Sequence, residues 1–534
     1  MGELVGNLGG GPLFGSGAIG SLSGAVVAFG IFLAWMGLGS FAVRFIPTTK
    51  GFEHSHILEL AMRIAVGAAI WSLIWFFLGI VGVYSPWIAL AAVMIGIALN
   101  LFTIGRARES TDESRVPEAA SGFDRLLLVL IAIPVLLAFL ASLAPPTAKD
   151  TLLYHFAVPK AFIAQGSSSF IDGNIASYLA LGTEMHTVWA MLLGGMISER
   201  AGEAASGATV WLFFPVLLAA IFGFAREIGV ERRWALVAVL MVAAVPTAYH
   251  VAASAYIDLA LALFVTLAIY GMTRWWRSLE SGWLVYLAIF LGAALSAKLT
   301  ALFVFAAFAL VIMLRVRRAQ ESEPDRVGKI AGLGFAALFL AGVIASPWYI
   351  RTWDETGSPI FPFYMSIWEG QALGWDIERS NLFQAMNAQY GGYDKTAVDY
   401  LAAPWNISVT AQPELATHFD GVLGVAFLIG LPILIWAFWK YEIPVEVKIG
   451  AGVAAVMFVF WLFSSQQLRY LLPIIPILAI GIVMAFQRIG EFDDGLRKLG
   501  SAILGTAAFA GLLVSAAWFM QKAPLRVVLG GESR

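Results

Sequence analysis

The residues best suited to chemistry begin just past a double proline. An apolar run from Leu126 stops at Pro145-Pro146, and Asp150 follows, then Tyr154 and His155. A carboxylate placed there can take a proton from a weak nucleophile such as a hydroxyl. Further along, Asp258, Lys298 and Arg469 each stand near one end of a long apolar run. Ionisable groups at membrane depth are costly and mark sites or pairs. Glu184 and His186 add an acid and an imidazole. Two positions apart, they do not share a helix face, and a metal site built from them with His155 is disfavoured. Each residue also has a plainer reading. Asp150 can cap a helix starting at Thr151. Asp258 can pair with Lys298 for structure alone. Tyr154, His155, Arg351 and Arg469 can serve as interfacial anchors.

The elements that position these residues follow from composition. Of 534 residues, 60% are hydrophobic and 13% charged, against about 25% charged in a soluble chain. The charge collects between apolar runs of roughly 15–25 residues, long enough or nearly so to span a bilayer. The fold class expected is all-α, a polytopic integral membrane protein with about 14 transmembrane helices. The net charge of −2 gives nothing for nucleic acid to bind. With no cysteine, disulfides, thiolate zinc sites and iron–sulfur clusters are excluded. The Gly-rich start, Met1 to Gly20, has no Lys or Arg, so the first apolar run is expected to be a retained span rather than a signal peptide. Gly9-Gly10-Gly11 lacks the Gly-Lys-Ser/Thr of a phosphate loop. Glu53, His54 and His56 fall in an expected inner loop, where a ligand role is disfavoured.

Four divisions are expected. Residues 1–125 hold three leading spans and a solvated linker, Arg106 to Asp124. Residues 126–350 form the membrane core with an outer loop, 145–204. Residues 351–417 form a second outer segment, and 418–534 the last spans. Lys and Arg concentrate in alternate loops: Arg44 and Lys50, Arg106 to Arg125, Arg226 to Arg233, Arg315 to Lys329, Lys440 and Lys448, and Arg488 to Lys498. The positive-inside rule puts these in the cytoplasm. Both long polar segments then fall on the opposite face, with Asp258, Lys298 and Arg469 at the outer ends of their spans. Within the first, Thr151–Gln165 is read as an interfacial helix bent at Pro159 and Leu179–Leu193 as a second, a platform at the lipid–water boundary. The second segment is rich in Trp and Tyr, suited to packing on sugar rings or to sitting at the interface.

Five stretches carry a resemblance. They are Asp150-Thr-Leu-Leu-Tyr154-His155; Tyr256-Ile-Asp258-Leu-Ala-Leu; Ser296-Ala-Lys298-Leu-Thr300; Ser346-Pro-Trp-Tyr-Ile-Arg351 with Thr356-Gly-Ser-Pro359-Ile-Phe-Pro362; and Gln467-Leu-Arg469-Tyr470-Leu-Leu-Pro473. In order and expected placement they resemble bacterial GT-C superfamily glycosyltransferases, relatives of the protein O-mannosyltransferases and the lipid A aminoarabinose transferase, over roughly Leu126 to Phe486. The resemblance implies transfer of a sugar from a polyprenyl-phosphate donor to a glycan, lipid or protein acceptor, within membrane lipids. It places the site on the extracytoplasmic, periplasmic side of a bacterial inner membrane. Many family members carry two adjacent acidic residues in the first outer loop. Here Asp150 is flanked by Lys149 and Thr151, so no divalent metal is expected and no other cofactor is implied.

On that footing Asp150 is the expected general base, and a single inverting displacement the expected reaction. Lys298 and Arg469 are the expected donor-phosphate ligands, because charge develops on the departing phosphate. Tyr154, His155, Glu184, His186, Asp258 and Arg351 are expected around the substrates. Two other classes share some features: a ligase or polymerase of lipid-linked oligosaccharides, and a transporter or flippase. The latter would place ionisable residues mid-membrane in broken, repeated helices, and no internal repeat is visible.

Overall fold

The computed structural model describes residues 16–47, 55–107 and 121–531. The start of the Gly-rich segment with Gly9–Gly11, the pair Glu53 and His54, and linker residues 108–120 lie outside the described residues. Among the described residues the chain is helix and turn, with two isolated bridge pairs and no strand.

Three leading helices, α1 (Ser16–Ala42), α2 (His56–Ile80) and α3 (Pro86–Ala107), pack together. Small residues let their backbones meet, as in membrane helix pairs generally. A Cβ added to Gly39 would lie 1.7 Å from the Arg63 carbonyl oxygen. The trio is also bound to the rest of the protein. Gly24 of α1 lies against the backbone of Ala204 and Ala205, and the Ser72 hydroxyl donates to the Gly182 carbonyl at 2.6 Å.

Helix α4 (Gly122–Ser142) opens with a capping box. Ser121 Oγ accepts from the Asp124 N–H, and the Asp124 carboxylate accepts from the Ser121 N–H. That reciprocal pair satisfies two otherwise orphaned donors, which is why the helix starts ahead of the apolar run. It ends before the double proline. The following segment differs from the single bent helix expected. Thr151–His155 forms one wide helical turn, and α5 (Ala157–Gln165) starts after Phe156. Pro159 lies in the first turn of α5, where its missing N–H breaks no bond. Gly166, at φ +71°, closes α5.

The expected second interfacial helix is corrected more strongly. Its first residues, Leu179 to Thr183, are not helical but follow a tight turn at Ile175–Tyr178, and the helix proper, α6, runs Glu184–Gly195. Residues Glu184 to Gly194 are all buried, packed chiefly against α7 (Glu199–Trp211). The element is an internal brace, not a platform, because its polar side chains find protein partners instead of water.

The chain continues through α8 (Phe213–Glu227), α9 (Arg232–Ala243) and α10 (Pro246–Ala253), the last two bent by 65°. Next come α11 (Asp258–Ser278), α12 (Ser281–Ala297), α13 (Ala301–Ser322) and α14 (Val327–Thr356). Helix α14 runs past Arg351 and stops at Gly357, φ +79°, so the second outer segment begins later than expected. That segment holds α15 (Ile377–Ala388) and several short turns. Four long helices follow, α16 (Val425–Lys440), α17 (Val445–Leu462), α18 (Ile475–Gly490) and α19 (Asp494–Lys522), and then one short helical turn, Leu525–Val528.

The protein is an integral membrane protein. Among the described residues, nine helices are long and apolar enough to cross a bilayer, or ten counting the bent pair. The count of about 14 is not reached on that measure. Ser281–Ala297, Val425–Lys440 and Ile475–Gly490 are apolar but shorter, below the roughly 20 residues that a full crossing requires.

Candidate functional site

Four breaks in the helices meet at one place. The turn after the double proline brings Asp150. The gap between α10 and α11 brings Tyr256, with Asp258 opening α11. The turn between α12 and α13 brings Lys298. The short turn Leu468–Leu471, ahead of α18, brings Arg469 and Tyr470. Broken helices leave backbone groups and side chains free to face a ligand, which intact spans do not.

Arg469 is the hub, and it is buried. Its Nη2 donates to Asp150 Oδ2, and its Nε donates to Gln467 Oε1 at 2.9 Å. The guanidinium lies over the Tyr256 ring, 4.7 Å from the centroid, a favourable cation–π geometry. Its remaining nitrogen, Nη1, is buried with no protein partner. Such a donor is expensive to leave unmet.

Asp150 does not cap the turn that follows it: its side chain makes no capping bond. Its backbone N–H donates to the Tyr256 hydroxyl at 3.2 Å. Burial alone would push its carboxyl up, but the charges of Arg469, His155 and Lys298 outweigh burial. They hold Asp150 below the usual carboxylate range, so it is ionised at neutral pH.

Lys298 Nζ donates to Asp258 Oδ1 at 2.5 Å and stands 4.0 Å over the Tyr470 ring. The Asp258 carboxylate is fully buried, and its second oxygen has no partner. The structural pairing of these two is therefore real. The pair also belongs to the same electrostatic cluster, since Lys298 acts on Asp150 and Asp258 on Arg469.

His155 Nδ1 meets Glu184 Oε1 at 2.7 Å, both side chains buried. The His155 ring lies 5.3 Å from the Tyr256 ring and 4.0 Å from the Tyr154 ring. Glu184 thus reaches the site through His155.

Two expected site residues lie elsewhere. His186 is buried between the rings of Trp35 and Phe213, at centroid distances of 4.7 and 5.8 Å, and braces α6 against α1. Arg351 donates to the carbonyls of Ser168 and Ser177 and covers the Phe170 ring at 3.9 Å. It fastens the first outer loop to α14. Among the described residues, no three His, Asp or Glu side chains are grouped to hold a metal ion.

Several cluster members were not singled out by type. Tyr256 and Tyr470 lie inside the quoted stretches, adjacent or nearly so to the charged residues. Gln467 orients Arg469. Asp420 joins from the second outer segment, where no sequence signal marks it. Burial raises its carboxyl above the usual range despite the opposing charge of Arg469 and the bond from the Glu414 N–H.

The chain is similar to several known proteins. A family model described as a domain of unknown function (DUF8201) matches residues 24–476. No curated protein matches. Among solved structures, ArnT from Cupriavidus metallidurans bound to undecaprenyl phosphate is 15% identical, with a TM-score of 0.48, covering 77% of each chain. The same protein in the apo state is 16% identical, with a TM-score of 0.49 over 77% of each chain. The archaeal oligosaccharyltransferase AglB from Archaeoglobus fulgidus, in complex with an inhibitory peptide and a dolichol-phosphate, is 13% identical. Its TM-score is 0.41, covering 78% of this chain and 57% of its own.

Proposed function

We propose that this chain, which belongs to the DUF8201 family, is a membrane glycosyltransferase of GT-C type that takes its sugar from a polyprenyl-phosphate donor. The observation that carries the reading is the junction of Asp150 and Arg469: one buried guanidinium holds an ionised carboxylate with one nitrogen and keeps another, Nη1, unmet. A base and an anion ligand are thereby set side by side. The resemblance of the five sequence stretches to GT-C enzymes supports the same reading, because four of them supply the four breaks that meet here.

In the proposed reaction the carrier phosphate binds Arg469 Nη1. Lys298 adds a second positive charge nearby. Asp150 accepts the proton of the acceptor hydroxyl as that oxygen forms a bond to the anomeric carbon. The bond from that carbon to the phosphate oxygen breaks, and its electron pair leaves with the carrier phosphate. One displacement inverts the anomeric configuration. A carboxylate held at a low pKa is a weak base. It suits a transition state of oxocarbenium character, in which the leaving bond loosens first and the proton departs late. Tyr256 and the His155–Glu184 pair hold the wall on which Asp150 sits. No metal enters this scheme. The site faces the extracytoplasmic side by the distribution of Lys and Arg among the loops, which the GT-C resemblance makes the periplasm of a bacterial inner membrane.

Transfer from the lipid-linked sugar pool, extracted from membranes of the source cells, tests the assignment. Asp150→Asn keeps the shape of the side chain and removes its basicity. A loss of roughly 10²–10⁴-fold in transfer rate is expected, with the helical circular dichroism of the wild type retained. A folded Asp150→Asn protein with full transfer would overturn the role of Asp150. A ligase would share the same outer site, and a transporter the broken helices, but no internal repeat accompanies those breaks.

A further inference from the structure

The second outer segment forms a cleft of about 430 Å³ against the outer end of α17. That volume lies within the roughly 300–1,000 Å³ of small-molecule sites. Three aromatic rings line it: Tyr393 and Tyr400 from the outer segment, and Phe463 just past α17. Tyr400 and Phe463 face each other at a centroid distance of 5.4 Å, and Phe463 and Tyr393 are 71% and 65% exposed. Polar groups sit among the rings: the Gln389 amide, the Asp394 carboxylate and the Ser464 hydroxyl.

The charge in the cleft is balanced rather than one-signed. Lys395 stands beside Asp394, and its ammonium is already committed to the carbonyls of Ala388 and Tyr390, at 3.1 and 2.6 Å. One of its three N–H donors is left, and the neighbouring Asp394 carboxylate opposes an anionic ligand there. A flat molecule with C–H groups on its faces and hydroxyls around its rim fits better, because aromatic faces carry negative charge that attracts C–H edges and planar polar side chains bond the rim.

The cleft is joined to the Asp150–Arg469 cluster by a stiff link. Gly391, at φ +82°, follows Tyr390 at the edge of the cleft. A Cβ there would lie 2.1 Å from Gln466 Oε1 and 2.8 Å from the Phe419 ring, so only glycine lets the loop sit this close. The Gly391 N–H donates to the Ala416 carbonyl at 3.0 Å, and the Leu468 N–H to the Phe419 carbonyl at 2.8 Å. Arg469 comes next in the chain. Tyr390 itself lies within the electrostatic reach of Asp420, Tyr470, Arg469 and Asp150.

We propose that this cleft is a binding subsite for neutral sugar residues of the acceptor, holding a saccharide against Tyr393, Tyr400 and Phe463 while its reacting hydroxyl reaches Asp150. The inference rests on the glycosyltransferase reading, and it names the acceptor class: a glycan, or a lipid or protein already carrying one.

Saturation-transfer NMR on the full-length, detergent-solubilised protein tests it, with three neutral tetrasaccharides as probes: β-1,4-linked N-acetylglucosamine, α-1,4-linked glucose and α-1,2-linked mannose. Saturation should reach the ring C–H protons of at least one probe. Tyr393→Ala with Tyr400→Ala should weaken that binding about tenfold or more, while Tyr393→Phe, which keeps the ring, should retain it. Failure of all three probes to bind, or binding indifferent to loss of both tyrosine rings, would overturn the subsite. The two readings separate: saccharide binding without any sugar transfer would count against the glycosyltransferase, and transfer without saccharide binding against the cleft.

Discussion

At the scale of single residues, the proposed chemistry rests on Asp150 and Arg469. A carboxyl held below its ordinary value of 3.8 by neighbouring charge stays ionised as the pH falls from neutral to mildly acidic. Its folded pKa lies below its unfolded one. The stabilisation it gives is therefore present above the unfolded value and lost as pH falls through the folded value. For activity the same sign holds: the acid limb of kcat/KM set by Asp150 should lie below pH 3.8, with no loss between pH 7 and 5 from this group. Arg469→Gln removes the largest opposing charge and should move that limb upward, readable as a new decline at mildly acidic pH in whatever activity remains. An unmoved limb would mean that Arg469 does not govern Asp150. Asp150, Lys298 and Arg469 could be singled out in the sequence because charged residues at the ends of apolar runs are few. Their partners could not. Gln467 and Asp420 are ordinary residue types in polar stretches, and nothing in their spacing shows that one bonds Arg469 and the other feels its charge. His186 shows the opposite failure. The resemblance implied a place for it around the substrates, but, two positions from Glu184 on the helix, it points toward Trp35 rather than His155.

At the scale of elements, the site is an assembly of helix ends. Asp258 opens α11 and Lys298 closes α12, and their bond ties the two helices. Removing Lys298 alone would leave a buried carboxylate unpaired, at a cost of roughly 3–5 kcal/mol. Replacing the pair together, Lys298→Met with Asp258→Leu, should fold. If Lys298 also serves the carrier phosphate, that double variant keeps its thermal melting temperature but loses at least tenfold in transfer. Equal activity to wild type would leave Lys298 a structural role only. The apolar helices were legible because hydropathy and length decide them, and the ends of α4 and α5 are marked by the double proline and Gly166. The status of α6 could not. An amphipathic stretch beside a polar loop reads the same whether it lies in the interface or is buried under other helices, and only the tertiary partners of Glu184 and His186 distinguish the cases. The leading helices were set apart on sequence grounds, yet the glycine contacts of α1 bind them closely to α7.

At the scale of the whole molecule, function depends on which face of the membrane the cluster meets. The chain has no cysteine, so single reporters can be read cleanly. Cysteine at exposed positions Lys149 and Asp394 should react with a membrane-impermeant thiol reagent from outside intact cells. Cysteine at exposed Arg317 and Lys440 should react only after permeabilisation. The reverse pattern would put the site in the cytoplasm and contradict the proposed donor orientation. The central claim is narrower: a lipid phosphate is held by the free nitrogen of Arg469 while the other still grips Asp150. The most direct test is a cryo-EM structure of the full-length protein with polyprenyl phosphate. The account predicts a phosphate oxygen about 3 Å from Arg469 Nη1, with Asp150 remaining on Nη2. Phosphate density away from Arg469, with the Asp150–Arg469 pair unchanged and Nη1 still unmet, would contradict it.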